Sequence, residues 1–221
     1  MTDVHCHIRG GDPCVRELVV GEHFSGIHPW DAEGVADIGS TLCDLRSRLE
    51  SDPSLGVGEI GLDRLRTREI SSIEEELFER QLALAVEFGR PVVLHGAKCW
   101  GRVMDCVRRR LAVSGDSGTR FLFHGFSRSA GLIPAIASLG AFISVGPAIL
   151  NDHAVNYREL VVKIPDRCLL LETDRTAESA AGCPAIAEIA AKVAQLRGVA
   201  SGEIERLTDA NCVRFFDRLV P

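Results

Sequence analysis

The sequence predicts an α/β fold built on a parallel sheet, and three observations carry that reading. Short β-like apolar runs alternate along the chain with stretches of helical periodicity, the pattern of repeated βα units. His5, His7, Glu59, His95, His124 and Asp174 each stand at or just past the end of such a run, in MTDVHCH, LGVGEIG, PVVLHG, RFLFHG and RCLLLETD. The carboxyl ends of parallel strands are where ligands gather. The 221 residues fall within the range of one α/β barrel and no Ser/Gly/Pro-rich linker divides them, so a single domain over residues 1–221 is expected.

Taken in order, the first strand is the run that delivers His5 and His7, and the next clear one ends in Gly58-Glu59. Ser72 with Glu75 three residues later has the form of a capping box. Leu77, Phe78, Leu82, Ala85 and Phe88 then recur at helical spacing, and Gly89 stops the helix before Pro91 opens the strand Val92–Leu94. Helices are expected over Gly101–Leu111, Ala130–Leu139, Pro184–Leu196 and Glu203–Leu219, and strands over Phe121–Phe123, Ala141–Val145 and Cys168–Leu171. There is no internal repeat or low-complexity segment.

Composition narrows the class. A hydrophobic fraction of 46% can fill a core, while no apolar stretch approaches the ~18 residues of a transmembrane helix. Met1 stands four residues before His5, which leaves no room for a secretory signal, so a soluble cytoplasmic protein with no membrane partner is expected. Eight cysteines without a C-x-x-C pair read as reduced, mostly buried thiols. The formal charge of −6 argues against an extended duplex footprint. A metal-centred phosphodiesterase escapes that objection, because its cations supply positive charge where a phosphate docks, with Arg64, Arg66 and Arg68 at hand. Arg108–Arg110 reads better as a solvated helix face.

His and carboxylate together, with no cysteine among them, suit a hydrolytic Zn²⁺, Mn²⁺ or Mg²⁺ centre better than a structural zinc site. His5 and His7 alternate on a strand and face one side. Glu59 lies between glycines in Gly-Glu-Ile-Gly-Leu-Asp. His95 and His124 each follow a three-residue apolar strand and precede glycine, where a buried imidazole is expensive without a partner. Glu172 and Asp174 share a strand face, and either suits a ligand or a base. Each residue alone is compatible with a packed or capping role; recurrence at successive strand ends sets the group apart.

The chain resembles the TatD-type metal-dependent deoxyribonucleases, a branch of the amidohydrolase-like metal hydrolases. The matching stretches are Asp3–His7, Gly26–Trp30, Gly58–Asp63, Pro91–His95, Phe123–Ser127 and Glu172–Asp174, in the family's order. The resemblance implies a TIM-type (β/α) barrel with two divalent ions. One is held by His5, His7 and Asp174 and one by His95 and His124, with Glu59 bridging. It makes His28 the histidine that contacts substrate phosphate and Asp174 the group that orients the attacking hydroxide. Lys98 and Arg128 would join His28 in neutralising phosphate charge. The implied reaction is 3'-5' exonuclease-like cleavage of DNA, or of a small phosphodiester, at single-stranded ends. The oligomeric state stays open, a monomer included.

Three departures from the family accompany the resemblance. Only 16 residues separate His7 from Phe24, so one βα unit is expected to be missing near the N-terminus, with less rim for a polymer. Lys98 stands one residue out of register with the family's arginine, and Arg175 replaces a proline after Asp174. A lactonase- or phosphotriesterase-like amidohydrolase would bridge its metals with a carboxylated lysine, for which Lys98 is the nearby candidate. A histidinol-phosphatase-like domain needs more histidines, and a degenerate, non-catalytic metal-binding barrel is the remaining reading. A serine hydrolase fails because Gly125–Ser129 lacks the closing glycine of a nucleophile elbow.

Overall fold

In the computed structural model the described residues are 1–66, 68–115, 117–127 and 130–216. Eight strands occur among them: β1 (Thr2–Cys6), β2 (Arg16–Val19), β3 (Phe24–Ser25), β4 (Gly56–Asp63), β5 (Val92–Ala97), β6 (Phe121–Phe123), β7 (Phe142–Val145) and β8 (Leu169–Leu171). The helices are α1 (Ile38–Ser51), α2 (Ser72–Glu87), α3 (Trp100–Ser114), α4 (Ile133–Ser138), α5 (Val155–Lys163), α6 (Ile186–Arg197) and α7 (Ser201–Phe215). This is the expected α/β class. No helix among the described residues is long and apolar enough to cross a membrane. The described residues form two compact units, one of residues 1–21 and 124–216, the other of residues 22–123.

In the Glu22–Phe123 unit, β3, β4, β5 and β6 run parallel, with Phe24 opposite Gly56, Gly61 opposite His95 and Val92 opposite Phe121. α1 starts where the Asp37 carboxylate accepts from the Gly39 and Ser40 amides, and it buries Leu42, Leu45 and Leu49. The cap of α2 sits one residue earlier than the Ser72/Glu75 box. Ser71 Oγ accepts from Glu74 N, and the Glu74 carboxylate turns away to accept from Asp63 N at 2.7 Å. Glu75 instead makes a two-pronged pair with Arg102 of α3. All eight residues of β4 are buried.

In the other unit, β1 pairs in parallel with β2 (Asp3 opposite Glu17) and β7 with β8 (Ser144 opposite Leu170). The shortened N-terminal stretch therefore keeps its strand. Arg16–Val19 is β2, and what is absent is a helix between β1 and β2 and another between β2 and β3. Parallel neighbours ordinarily need a crossover of about a dozen residues or more. Here residues 7–15 suffice because side chains brace the loop. Glu17 accepts from Gly10 N at 2.6 Å, and Asp12 accepts from Cys14 N at 2.9 Å. The predicted helix over Ala130–Leu139 is a 3₁₀ turn, Ala130–Leu132, followed by the short α4, since Pro134 lacks an N–H and restrains the residue before it. Asn211 of α7, buried, donates to the carbonyls of Asp166 and Leu169 and ties the helix to the start of β8. Of the eight free cysteines five are buried, in line with the reading of packed thiols.

One backbone approach sets the geometry of β4 against β5. A Cβ built on Gly61 (φ 153°) would lie 2.0 Å from the carbonyl oxygen of His95. Because that neighbour is backbone, Gly61→Ala is expected to destabilise the protein by about 3 kcal/mol or more, at the upper end of overpacking costs. Urea denaturation of the variant beside the parent checks this, and an unchanged midpoint would contradict the close approach.

Candidate metal centre

Each unit carries a set of imidazoles and carboxylates at its strand ends. In the Glu22–Phe123 unit, the pairing of Gly61 with His95 puts Glu59 and Asp63, two residues to either side on β4, within reach of one ring. His95 Nδ1 lies 2.6 Å from Glu59 Oε1, and His95 Nε2 lies 3.0 Å from Asp63 Oδ2. Asp63 also accepts from the Trp30 indole N–H at 2.6 Å and from the backbone amides of Leu65 and Arg66. Burial pushes the Asp63 carboxyl up, but the hydrogen bonds from His95, Arg66, Trp30 and Leu65 outweigh it and hold the group well below the usual carboxylate range. Asp63 is thus an anion set against His95 Nε2, with Nδ1 of the same ring against Glu59. A ligand histidine held by a carboxylate behind it has this arrangement. The sequence reading gave Asp63 no role. The signal available was alternation, since residues 59, 61 and 63 share one face of a strand.

His28, Glu59 and His95 offer donor atoms within 4.8 Å of one another, yet His28 has a different task. It caps the 3₁₀ turn Pro29–Gly34, its Nδ1 accepting from Trp30 N at 3.1 Å. A neutral ring whose Nδ1 accepts carries its proton on Nε2. That nitrogen lies 3.4 Å from Glu59 Oε1. The proton disposition suits a residue that contacts an anionic oxygen.

In the other unit, His5 Nε2 and His7 Nε2 stand 3.6 and 3.5 Å from Asp174 Oδ1. Bonds of ~2.1 Å at tetrahedral angles place two ligand atoms roughly 3.4 Å apart, so these separations fit a common divalent ion without rearrangement. Asp174 adopts a left-handed φ of 48°, and its neighbours hold it there. Asp174 N donates to the His5 carbonyl, and His7 N and Ile8 N both donate to the Arg175 carbonyl. Asp3, buried, accepts from Thr173 N at 2.9 Å and from Thr173 Oγ1 at 2.5 Å. Burial, opposed by those bonds, raises the Asp3 carboxyl to about 6. Arg175, in place of the family's proline, lays its guanidinium 3.7 Å from the buried Glu17 of β2.

Glu172 and Asp174, left open as ligand or base by the sequence, have separate duties. Glu172 Oε1 accepts from Gly125 N at 2.7 Å and Oε2 from Ser144 Oγ at 2.6 Å. Oε1 thereby holds the turn just after His124, Oε2 is tied to β7, and His124 Nδ1 stands 3.6 Å from Oε2. The His5 and His124 rings lie 4.4 Å apart, centroid to centroid. A cavity of about 410 Å³ opens beside Asp174, walled by Gly146, Pro147, Tyr157 and Cys183.

The structure therefore brings His5, His7, His124 and Asp174 together in one unit and Glu59, His95 and His28 in the other. Lys98 lies on the exposed turn after β5 with φ 58°. Arg128 lies outside the described residues.

Residues 21–217 match the family described as TatD related DNase. A 3'-5' ssDNA/RNA exonuclease TatD of Edwardsiella piscicida is 33% identical over 151 residues, 68% of this chain and 56% of that protein. An uncharacterized metal-dependent hydrolase, YjjV, of Escherichia coli (strain K12) is 31% identical over 167 residues, 72% of this chain and 62% of that protein. The alignments thus span less than two thirds of these curated relatives. The crystal structure of YjjV matches with a TM-score of 0.73 and 26% identity, covering 96% of this chain and 79% of that one. The chain belongs to the TatD-related DNase family.

Proposed function

We propose that this protein is a divalent-metal-dependent phosphodiesterase that removes nucleotides from single-stranded nucleic acid ends. The observation that carries the reading is the pairing, in each unit, of a histidine–carboxylate donor set with a second carboxylate committed by hydrogen bonds to holding a ligand segment: Asp63 behind His95, and Asp3 behind Asp174. The proposal assigns His5, His7, His124 and Asp174 as ligands from one unit and Glu59 and His95 from the other, for two ions of Mg²⁺, Mn²⁺ or Zn²⁺. When bound, such ions supply an activated water at neutral pH and charge for the phosphate oxygens. With ions bound, the Asp174 carboxylate, which lies 3.5 to 3.6 Å from the His5 and His7 imidazoles, would orient the attacking water and accept its proton. His28 Nε2–H donates to a non-bridging phosphate oxygen, and Lys98 offers a mobile charge from its exposed turn. Relatives of this chain carry the name 3'-5' ssDNA/RNA exonuclease or metal-dependent hydrolase, which supports the substrate class.

End-directed action follows from the shortened stretch before β3, which lacks two helices and so offers less rim to a polymer. Internal duplex sites would also need unpairing, at a cost of a few kcal/mol. The purified protein with Mg²⁺ or Mn²⁺ is expected to degrade linear single strands, to act poorly on blunt duplex, and to leave closed circular duplex intact. Efficient cutting of the circle contradicts end-directed action. Silence on every nucleic acid beside turnover of a lactone or phosphotriester would move the protein to small-molecule hydrolysis.

Two variants probe the site. Asp63→Asn should weaken metal binding by about 10- to 100-fold, the usual effect of losing a carboxylate behind a ligand histidine. A metal titration indistinguishable from the parent's would remove Asp63 from that role. His28→Ala should raise KM or lower turnover on a phosphodiester at unchanged metal content; loss of bound metal, measured by elemental analysis, would instead make His28 a ligand.

A further inference from the structure

We propose that Trp30 is a stacking platform for the base of the nucleotide whose phosphate meets His28. The inference rests on the nucleic-acid reading above and adds how that substrate is gripped. Trp30 is 52% exposed, whereas Trp100, the other tryptophan of the chain, is 5% exposed. Isolated exposed apolar residues are common and need no function. Trp30 differs in being fixed at two points. Its indole N–H donates to Asp63 Oδ2 at 2.6 Å, and its backbone N–H donates to His28 Nδ1 at 3.1 Å.

Those two partners belong to the site. Asp63 is the carboxylate that also receives His95, so one anion positions both a proposed metal ligand and the indole. The Trp30 ring centroid lies 4.8 Å from that of His28 and 6.2 Å from that of His95. In a nucleotide the base stands one sugar away from its phosphate, so a phosphate received by His28 would bring its base alongside this indole. The Arg66 guanidinium lies 4.8 Å from the Trp30 ring, and its backbone N–H is held by Asp63 Oδ1 at 2.9 Å. A stacked cation favours an electron-rich, anionic strand over a neutral ligand.

This arrangement recognises single strands and not sequence. A base held in a duplex presents no face to an indole, while every unpaired base has one, and stacking on an aromatic side chain is tolerant of base identity. A pre-fixed ring also loses little freedom when a base stacks on it. The expected partner is therefore an unpaired nucleotide of any base, at a strand end.

The test uses the intact protein with Mg²⁺ and two phosphorothioate strands of equal length, oligothymidylate and its abasic counterpart, while unmodified oligothymidylate is assayed for hydrolysis in parallel. Intrinsic fluorescence reports binding. The thymidylate strand is expected to quench the exposed tryptophan and to bind about tenfold or more tighter than the abasic strand, the range that stacking of one base gives. The quench should vanish in Trp30→Phe and persist in Trp100→Phe. Equal affinity for the two strands in the parent protein, which needs no variant, overturns the platform even if DNA is cut. Absence of both binding and cutting overturns the nucleic-acid reading itself, and the platform with it. Protection of Trp30 from a soluble quencher that grows with protein concentration alone would assign the ring to a contact between copies, and would likewise overturn the proposal.

Discussion

A carboxylate can be buried only where donors replace the water it loses, and this rule organises both donor sets. Glu59, Asp63, Asp3 and Glu172 are all nearly inaccessible, and each lies against imidazole, hydroxyl or backbone N–H groups. Counting those donors separates the roles. Asp63 and Glu172 have both oxygens engaged by protein donors and so position their neighbours. Asp174, half exposed, meets two imidazoles at the mouth of its unit. A chain with a formal charge of −6 can gather such groups only by committing most of them, or by supplying cations in their midst.

The backbone is shaped to bring the donors into place. On β4 a glycine between the two carboxylates lets the strand approach β5 closely enough for one imidazole to meet both acids. At the end of β8, Thr173 is held by Asp3 through both its amide and its hydroxyl, which presents the next residue in a left-handed conformation beside β1. Arg175 and Glu17 do for the N-terminal loop what a helix would otherwise do. One side of their contact fixes the end of β8, and the other receives Gly10 of the nine-residue connection. With no helix between β1 and β2 or between β2 and β3, the ends of β1 and β8 are joined by backbone hydrogen bonds.

The residues proposed as ligands carry a positional signal in the sequence: an apolar run that ends in His, Glu or Asp reports a strand end whatever surrounds it. The groups that position them were less visible. Asp63 ends the motif containing Glu59, but only the register of β4 against β5 shows that it reaches His95. Asp3 looks like a flanking acid, and Glu172 like a ligand or base, until the contacts with Thr173, Ser144 and Gly125 join segments far apart in the chain. β2 escaped detection because Arg-Glu-Leu-Val is short and opens on two charges, while Glu17 is buried for a tertiary reason. α1 did carry a signal, Leu42, Leu45 and Leu49 at helical spacing behind an Asp37 cap, and it is an element that the pattern could have supplied.

His28 shows how local structure decides chemistry that composition leaves open. Residue type alone allows it to ligate, donate or accept. As the cap of a 3₁₀ turn opened by Pro29, its Nδ1 is spent on the Trp30 amide, and the remaining nitrogen of a neutral ring must carry the proton. The same turn sets the indole over the site, and the indole N–H reaches the carboxylate that holds His95. Three side chains that could each have been read as packing residues are therefore fixed by one short turn and one aspartate. Any change that unwinds the turn would shift the proton on His28, the angle of the indole and the orientation of His95 together. That coupling is a reason to treat Gly26–Trp30 as part of the proposed site and not as its rim.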